Sequence, residues 1–211
     1  MDEKVLLSEI SRLQNNGVSE QVLGRYNDFK SFARRSEEEW FSELCFCLLT
    51  ANSSALSGIK VQSALGFEGF YNLPEKKLSS ELKNLGYRFY NRRAEFIAEA
   101  RKHFGLKEKL SGFADDRLAR GFLVETVKGL GFKEASHFLR NTGHDNVVIL
   151  DRHILRLMRE HSLIKEMPKT LNEKTYLAAE SELDKFAVKA GLNHSLLDLY
   201  LWYMKTGKVL K

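Results

Sequence analysis

The sequence predicts an all-α fold. Apolar residues recur at helical rather than alternating spacing. Only two prolines interrupt 211 residues. Helix-start and helix-stop residues punctuate the chain at intervals suited to helices joined by short connections. With 43% hydrophobic and 29% charged residues, the composition is that of a globular protein large enough to bury a core.

The elements follow in order. An opening helix covers about 3–15, and a second about 19–34. Ser36 and Glu39 form an S-x-x-E capping box ahead of an apolar helix ending near Thr50. Another helix starts near Ser53. Pro74 suits the first turn of a helix over 75–84, and Gly86 breaks it. A basic helix runs from about 88 to 103, and a further one covers 115–127. The next helix follows the Gly129–Gly131 hairpin and stops at Gly143, a natural residue past a helix end. Asp151 caps a helix over 152–161, and two more cover about 172–190 and 194–205. No repeat, low-complexity segment or proline-rich boundary divides the chain, so residues 1–211 read as a single unit.

A net charge of +5 and a pI near 9.1 favour a polyanionic partner such as nucleic acid. Cys45 and Cys47, the two cysteines, sit in the apolar run CFCLLTA and read as buried thiols. Two positions apart on a helix they face different ways, and two thiols cannot hold a four-cysteine iron–sulfur cluster. No secretory signal opens the chain and no apolar run is long enough to span a bilayer, so a cytoplasmic location is expected.

The segment GLGFKEASHFLRNTG at 129–143 carries the first chemical signal. Glycines at 129 and 131 allow positive φ and close approach of another backbone. The helix after them presents free amides, which hold phosphate without reading bases. The same glycines also suit a plain turn between antiparallel helices. Lys133 lies in the first turn of that helix, where the helix dipole disfavours a second positive charge. A neutral lysine amine is a nucleophile that forms Schiff bases; a charged one at this place contacts phosphate. Asp151 follows eighteen residues later. Its carboxylate caps a helix, stabilises a developing oxocarbenium ion, or does both. Arg152, Arg156 and Arg159 form one basic stripe, either a solvated face or a second phosphate contact. His137, four residues after Lys133, faces the same way and reads as a structural histidine or a neighbour of the site. No Asp, His or Cys cluster has metal-ligand spacing, so neither a metal nor a cofactor is expected.

These residues resemble the helix–hairpin–helix superfamily of DNA glycosylases, and most closely its type-2 8-oxoguanine DNA glycosylase/AP lyases, a prokaryotic branch. The matching text is LCFCLLTANSS at 44–54, GYRFYNRRAEFI at 86–97, KGLGFKEASHFLRN at 128–141, LDRHILR at 150–156 and LDLYLWYMKTGKVLK at 197–211. The resemblance implies two helical lobes with the active site in the cleft between them, approximately residues 36–150 and residues 1–35 with 151–211. It makes Lys133 the Schiff-base nucleophile and Asp151 the catalytic carboxylate, and gives the phosphate-binding hairpin to Gly129 and Gly131. Asn52 fills the gap left by a flipped nucleotide. Arg88 contacts the orphaned base, with Phe89 preferred over Tyr87 as the wedge. Lys211 at the tail helps distinguish 8-oxoguanine from guanine, and Trp202 stacks on the extruded base.

The residues support part of this. Extruding a base costs a few kcal/mol, so something must fill the hole, and an aromatic–Arg–aromatic triplet beside Gly86 suits that task. Residues 83–103 carry six Lys/Arg against two Glu, a basic stretch fit to lie along a duplex. The expected partner is double-stranded DNA containing 8-oxoguanine or abasic sites, bound by a monomer. Two rival readings are a glycosylase/lyase for oxidised pyrimidines and a non-catalytic DNA-binding module.

Overall fold

The computed structural model describes residues 2–211. Among them, twelve α-helices and one 3-10 turn follow one another, with no strand. They are α1 (Glu3–Gln14), α2 (Val18–Phe32), α3 (Glu37–Thr50), α4 (Ala55–Asn72), α5 (Glu75–Asn84), α6 (Tyr90–Ala100), α7 (Leu106–Ser111), α8 (Asp116–Thr126), α9 (Phe132–Asn141), α10 (Arg152–Glu160), α11 (Glu173–Ala190) and α12 (His194–Thr206). Helix ends match the sequence reading where side chains cap them. Ser36 Oγ accepts from Glu39 N at 3.3 Å while Glu39 Oε2 accepts from Ser36 N at 3.2 Å. Asn172 and Asn193 cap α11 and α12 through their side-chain oxygens.

Two boundaries and one helix differ from expectation. The basic helix begins at Tyr90 rather than 88, because Phe89 keeps a non-helical backbone (φ −104°, ψ 35°). Its end tightens into a 3-10 turn at Arg101–His103, where the Arg101 guanidinium binds the carbonyls of Phe70 and Leu73. The short helix α7 has no counterpart in the sequence reading. Only Leu106 and Leu110 are buried on it, too few apolar positions to establish a period.

α3 is apolar nearly all round, and Trp40, Phe41 and every residue from Leu44 to Leu49 are buried. Such a helix belongs in the interior, and α4, α6, α7 and α9 pack around it. This first cluster runs from Trp40 to Val147. A second joins Leu6 and Ile10 of α1 to residues of 148–201. A third, smaller one gathers Leu13, Val22, Phe29, Leu199 and Tyr200. Ion pairs tie the first group of helices to the others: Arg120 of α8 to Glu180 of α11, and Arg140 of α9 to Asp198 of α12.

Candidate active site

The hairpin between α8 and α9 is closed by Leu130 N donating to Val127 O at 3.1 Å. Gly129 has φ +94°, and a Cβ there would lie 2.4 Å from the Phe96 ring. Both conformation and packing therefore require glycine. Gly131 departs from expectation. Its φ of −98° and ψ of −178° are extended, open to any residue. What singles it out is its amide, which donates to Glu134 Oε2 at 3.3 Å. Glu134 thus sets a carboxylate in the first turn of α9, favourable to the helix dipole.

Lys133 is the second residue of α9, and its side chain keeps 25% exposure. Its Nζ lies 3.5 Å from Glu134 Oε1. Asp151 caps α10: Oδ1 accepts from His153 N and Ile154 N, both at 2.8 Å. The cap and the free Oδ2 coexist, since no described residue donates to Oδ2. Lys133 and Asp151 line one cleft of about 380 Å³, together with Trp202 and Lys211. Four candidates scattered over the sequence thus share a single hollow, although no ion pair joins Lys133 to Asp151.

His137 and Arg140 line the same cleft from α9. Burial holds the His137 imidazole well below its ordinary pKa, and the charges of Arg140, Lys133 and Lys211 add to this. A neutral ring results, with Nδ1 unpartnered and the ring edge-on to Phe46. Asp198, facing from α12, is pushed up by burial, while Arg140 opposes the shift through a direct ion pair. Arg140 and Asp198 went unread in the sequence, yet both left a signal. Arg140 follows Lys133 and His137 at i, i+4, i+7, one helical face. Asp198 is a lone acid within the apolar run LLDLYLW.

The tail is docked. Lys211 Nζ donates to Glu43 Oε2 and Gln62 Oε1, each at 2.7 Å, and sits 4.1 Å from the Phe46 ring centroid. Glu43 is 1% exposed and also accepts from Asn141 at 2.6 Å. It is the lone acid among residues 40–50, the apolar part of α3, and the sequence reading passed over it. Trp202 is half-buried and meets the exposed His153 ring edge-on at 5.8 Å.

Other candidates lie outside the cleft lining. Asn52 is exposed at the turn between α3 and α4, with φ +58°. Asparagine tolerates this left-handed conformation better than most residues. Arg88 is exposed, its guanidinium 4.4 Å from the centroid of the half-buried Phe89 ring. Tyr87 corrects the expectation of a DNA contact. It is 2% exposed and its hydroxyl donates to the Leu49 carbonyl, so its ring is core and unavailable as a wedge. Arg152, Arg156 and Arg159 are exposed on α10. Among the described residues, no cluster of three His, Cys, Asp or Glu could hold a metal ion. No helix there is long and apolar enough to cross a membrane.

A family model described as 8-oxoguanine DNA glycosylase matches residues 22–192. The chain is 49% identical over 207 residues to the 8-oxoguanine DNA glycosylase/AP lyase of Methanocaldococcus jannaschii, covering 98% of this chain and 100% of that one. The crystal structure of the M. jannaschii 8-oxoguanine glycosylase/lyase in complex with 15mer DNA containing 8-oxoguanine superposes with a TM-score of 0.95 at 48% identity, over 98% of this chain and 100% of that one. The 8-oxoguanine DNA glycosylase of Thermotoga maritima superposes with a TM-score of 0.92 at 45% identity, over 99% and 100% of the two chains. Similarity of this extent, along nearly the whole length, is that of common descent: the chain belongs to the 8-oxoguanine DNA glycosylase family.

Proposed function

We propose that this chain is a bifunctional base-excision repair enzyme. It excises 8-oxoguanine from double-stranded DNA and then cleaves the strand 3′ to the abasic site. The observation that carries this reading is the meeting of Lys133, Asp151, Trp202 and Lys211 in one cleft. That cleft lies between a lobe of residues 36–150 and a lobe of residues 1–35 with 151–211.

The extruded base enters the cleft, and Trp202 offers it an aromatic face. Lys133 Nζ, once it has lost a proton, attacks C1′ as the glycosidic bond breaks and the base departs with the bonding electrons. The Asp151 carboxylate, fixed by two amides, stabilises the positive charge at C1′. The amine adduct loses a proton and the sugar ring opens, giving a protonated Schiff base. The iminium acidifies the C2′ proton; its removal expels the 3′ phosphate by β-elimination. A main-chain oxygen of Lys211 accepts from the N7–H that 8-oxoguanine has and guanine lacks. An acceptor left unsatisfied by guanine costs about 1–3 kcal/mol, the source of discrimination.

Gly129 and Gly131 shape the hairpin, and the first amides of α9 hold a phosphate. Asn52 fills the space of the flipped nucleotide, Arg88 contacts the orphaned base and Phe89 is the wedge. One copy supplies every group of the cleft, which supports action as a monomer, and the reading places the enzyme in the prokaryotic cytoplasm.

Borohydride trapping tests the mechanism. Lys133→Gln is expected to give no covalent adduct with an 8-oxoguanine duplex while still binding it. An undiminished adduct in that variant overturns the role of Lys133.

A further inference from the structure

Lys133 and Asp151 belong to different elements, yet their separation sets the chemistry. The residue before each one touches the same buried polar knot. Leu150, preceding Asp151, donates its amide to the Tyr176 hydroxyl at 3.2 Å. Phe132, preceding Lys133, packs its ring 5.4 Å from the Tyr176 ring and 5.1 Å from the Arg120 guanidinium.

Within the knot both hydroxyls, the carboxylate and the two terminal guanidinium nitrogens are partnered, while Arg120 Nε is buried without a hydrogen-bond partner. Tyr176 Oη lies 2.5 Å from Val148 O and 3.4 Å from Ser136 Oγ. Its single proton goes to the nearer carbonyl, so the Ser136 hydroxyl donates to Tyr176. Ser136 Oγ in turn accepts from Arg120 Nη1 at 3.3 Å. Glu180 takes both Arg120 nitrogens, at 2.5 and 2.7 Å, and the Val148 amide at 3.3 Å. Tyr176, Arg120 and Glu180 are each 1% exposed, and Ser136 is fully buried. Burial raises the Tyr176 pKa, so the phenol keeps its proton. Ser136 lies on α9, the lysine helix, and Val148 and Leu150 lie on the segment that delivers Asp151 to its cap.

We infer that Tyr176 is a positioning residue: its hydroxyl, bonded to Val148, Leu150 and Ser136, fixes the Asp151 carboxylate relative to the lysine helix. This rests on the catalytic roles proposed above for Lys133 and Asp151. The phenyl ring supplies packing, and the hydroxyl alone supplies the register. Removing the hydroxyl frees segment 148–150 to shift by a fraction of an ångström, and misplacement on that scale slows chemistry without loosening DNA.

The test is a double-mutant cycle read by single-turnover release of 8-oxoguanine, with duplex Kd and thermal midpoint measured alongside. Tyr176→Phe is expected to slow release about tenfold with Kd within about twofold of the parent. In the Asp151→Asn background it is expected to have no further effect, because the group it positions is gone. Equal losses in both backgrounds, or an unslowed Tyr176→Phe, overturn the inference. Should Tyr176→Phe fail to fold, Ser136→Ala cuts the link to α9 together with one long bond from Arg120 Nη1, which keeps its bond to Glu180. It is then expected to slow release about threefold in the parent and not in Asp151→Asn, and a loss of equal size in both again overturns the inference. An Asp151→Asn enzyme at full rate instead removes the proposed role of Asp151 itself, a different failure.

Discussion

Lys211 carries two demands in one residue. Its ammonium is spent on Glu43 and Gln62, so any base recognition falls to its main chain. The buried Glu43 would otherwise hold an uncompensated charge, which gives the tail a reason to dock. Lys211→Ala is expected to lower the kcat/KM ratio for 8-oxoguanine over guanine by about tenfold, within the range for one unsatisfied polar group. Steady-state excision on paired duplexes measures it, and an unchanged ratio shows that docking of the Lys211 side chain does not set the discrimination. Asp151 makes a similar economy. One oxygen caps α10 while the other takes no hydrogen bond from any described residue.

Among elements, the hairpin distinguishes two glycines that look alike in sequence. Gly129 has positive φ and a ring against its face; Gly131 has neither. Gly129→Ala is expected to destabilise the fold by about 1–3 kcal/mol in urea unfolding and to weaken duplex binding. Gly131→Ala is expected to cost under about 1 kcal/mol, because its Cβ meets only the movable end of Glu134 at 3.2 Å. Equal losses in the two variants would mean that neither the φ nor the Phe96 contact decides the hairpin. Capping residues made most helices legible in the sequence, whereas α7, with two buried leucines, left no pattern to read.

On the scale of the whole molecule, buried ion pairs join groups of helices that each have their own apolar cluster. Arg120 and Glu180 are sixty residues apart in sequence and almost wholly buried. Removing one member strands the other in a low-dielectric interior. Glu180→Ala is expected to lower the unfolding free energy by about 3–5 kcal/mol in urea titration, with loss of excision following from the freed 148–150 segment. A loss below about 1 kcal/mol would show that water reaches and solvates Arg120.

Local chemistry was legible in the residues themselves. Helical periodicity gave an all-α chain; Ser36, Glu39, Gly143 and Asp151 marked helix ends; Gly129 and Lys133 marked a tight turn with an amine at its mouth. These depend on neighbours within a few positions, and such interactions are written in order along the chain. The resemblance then joined the separate motifs into one expected site. What depended on distance through space stayed hidden. Only the tertiary structure decided that Tyr87 is core, that Lys211 is held by Glu43, 168 residues away in sequence, and that Arg140 meets Asp198. Burial and electrostatics depend on what packs against a group, and no spacing within one helix specifies its partner on another.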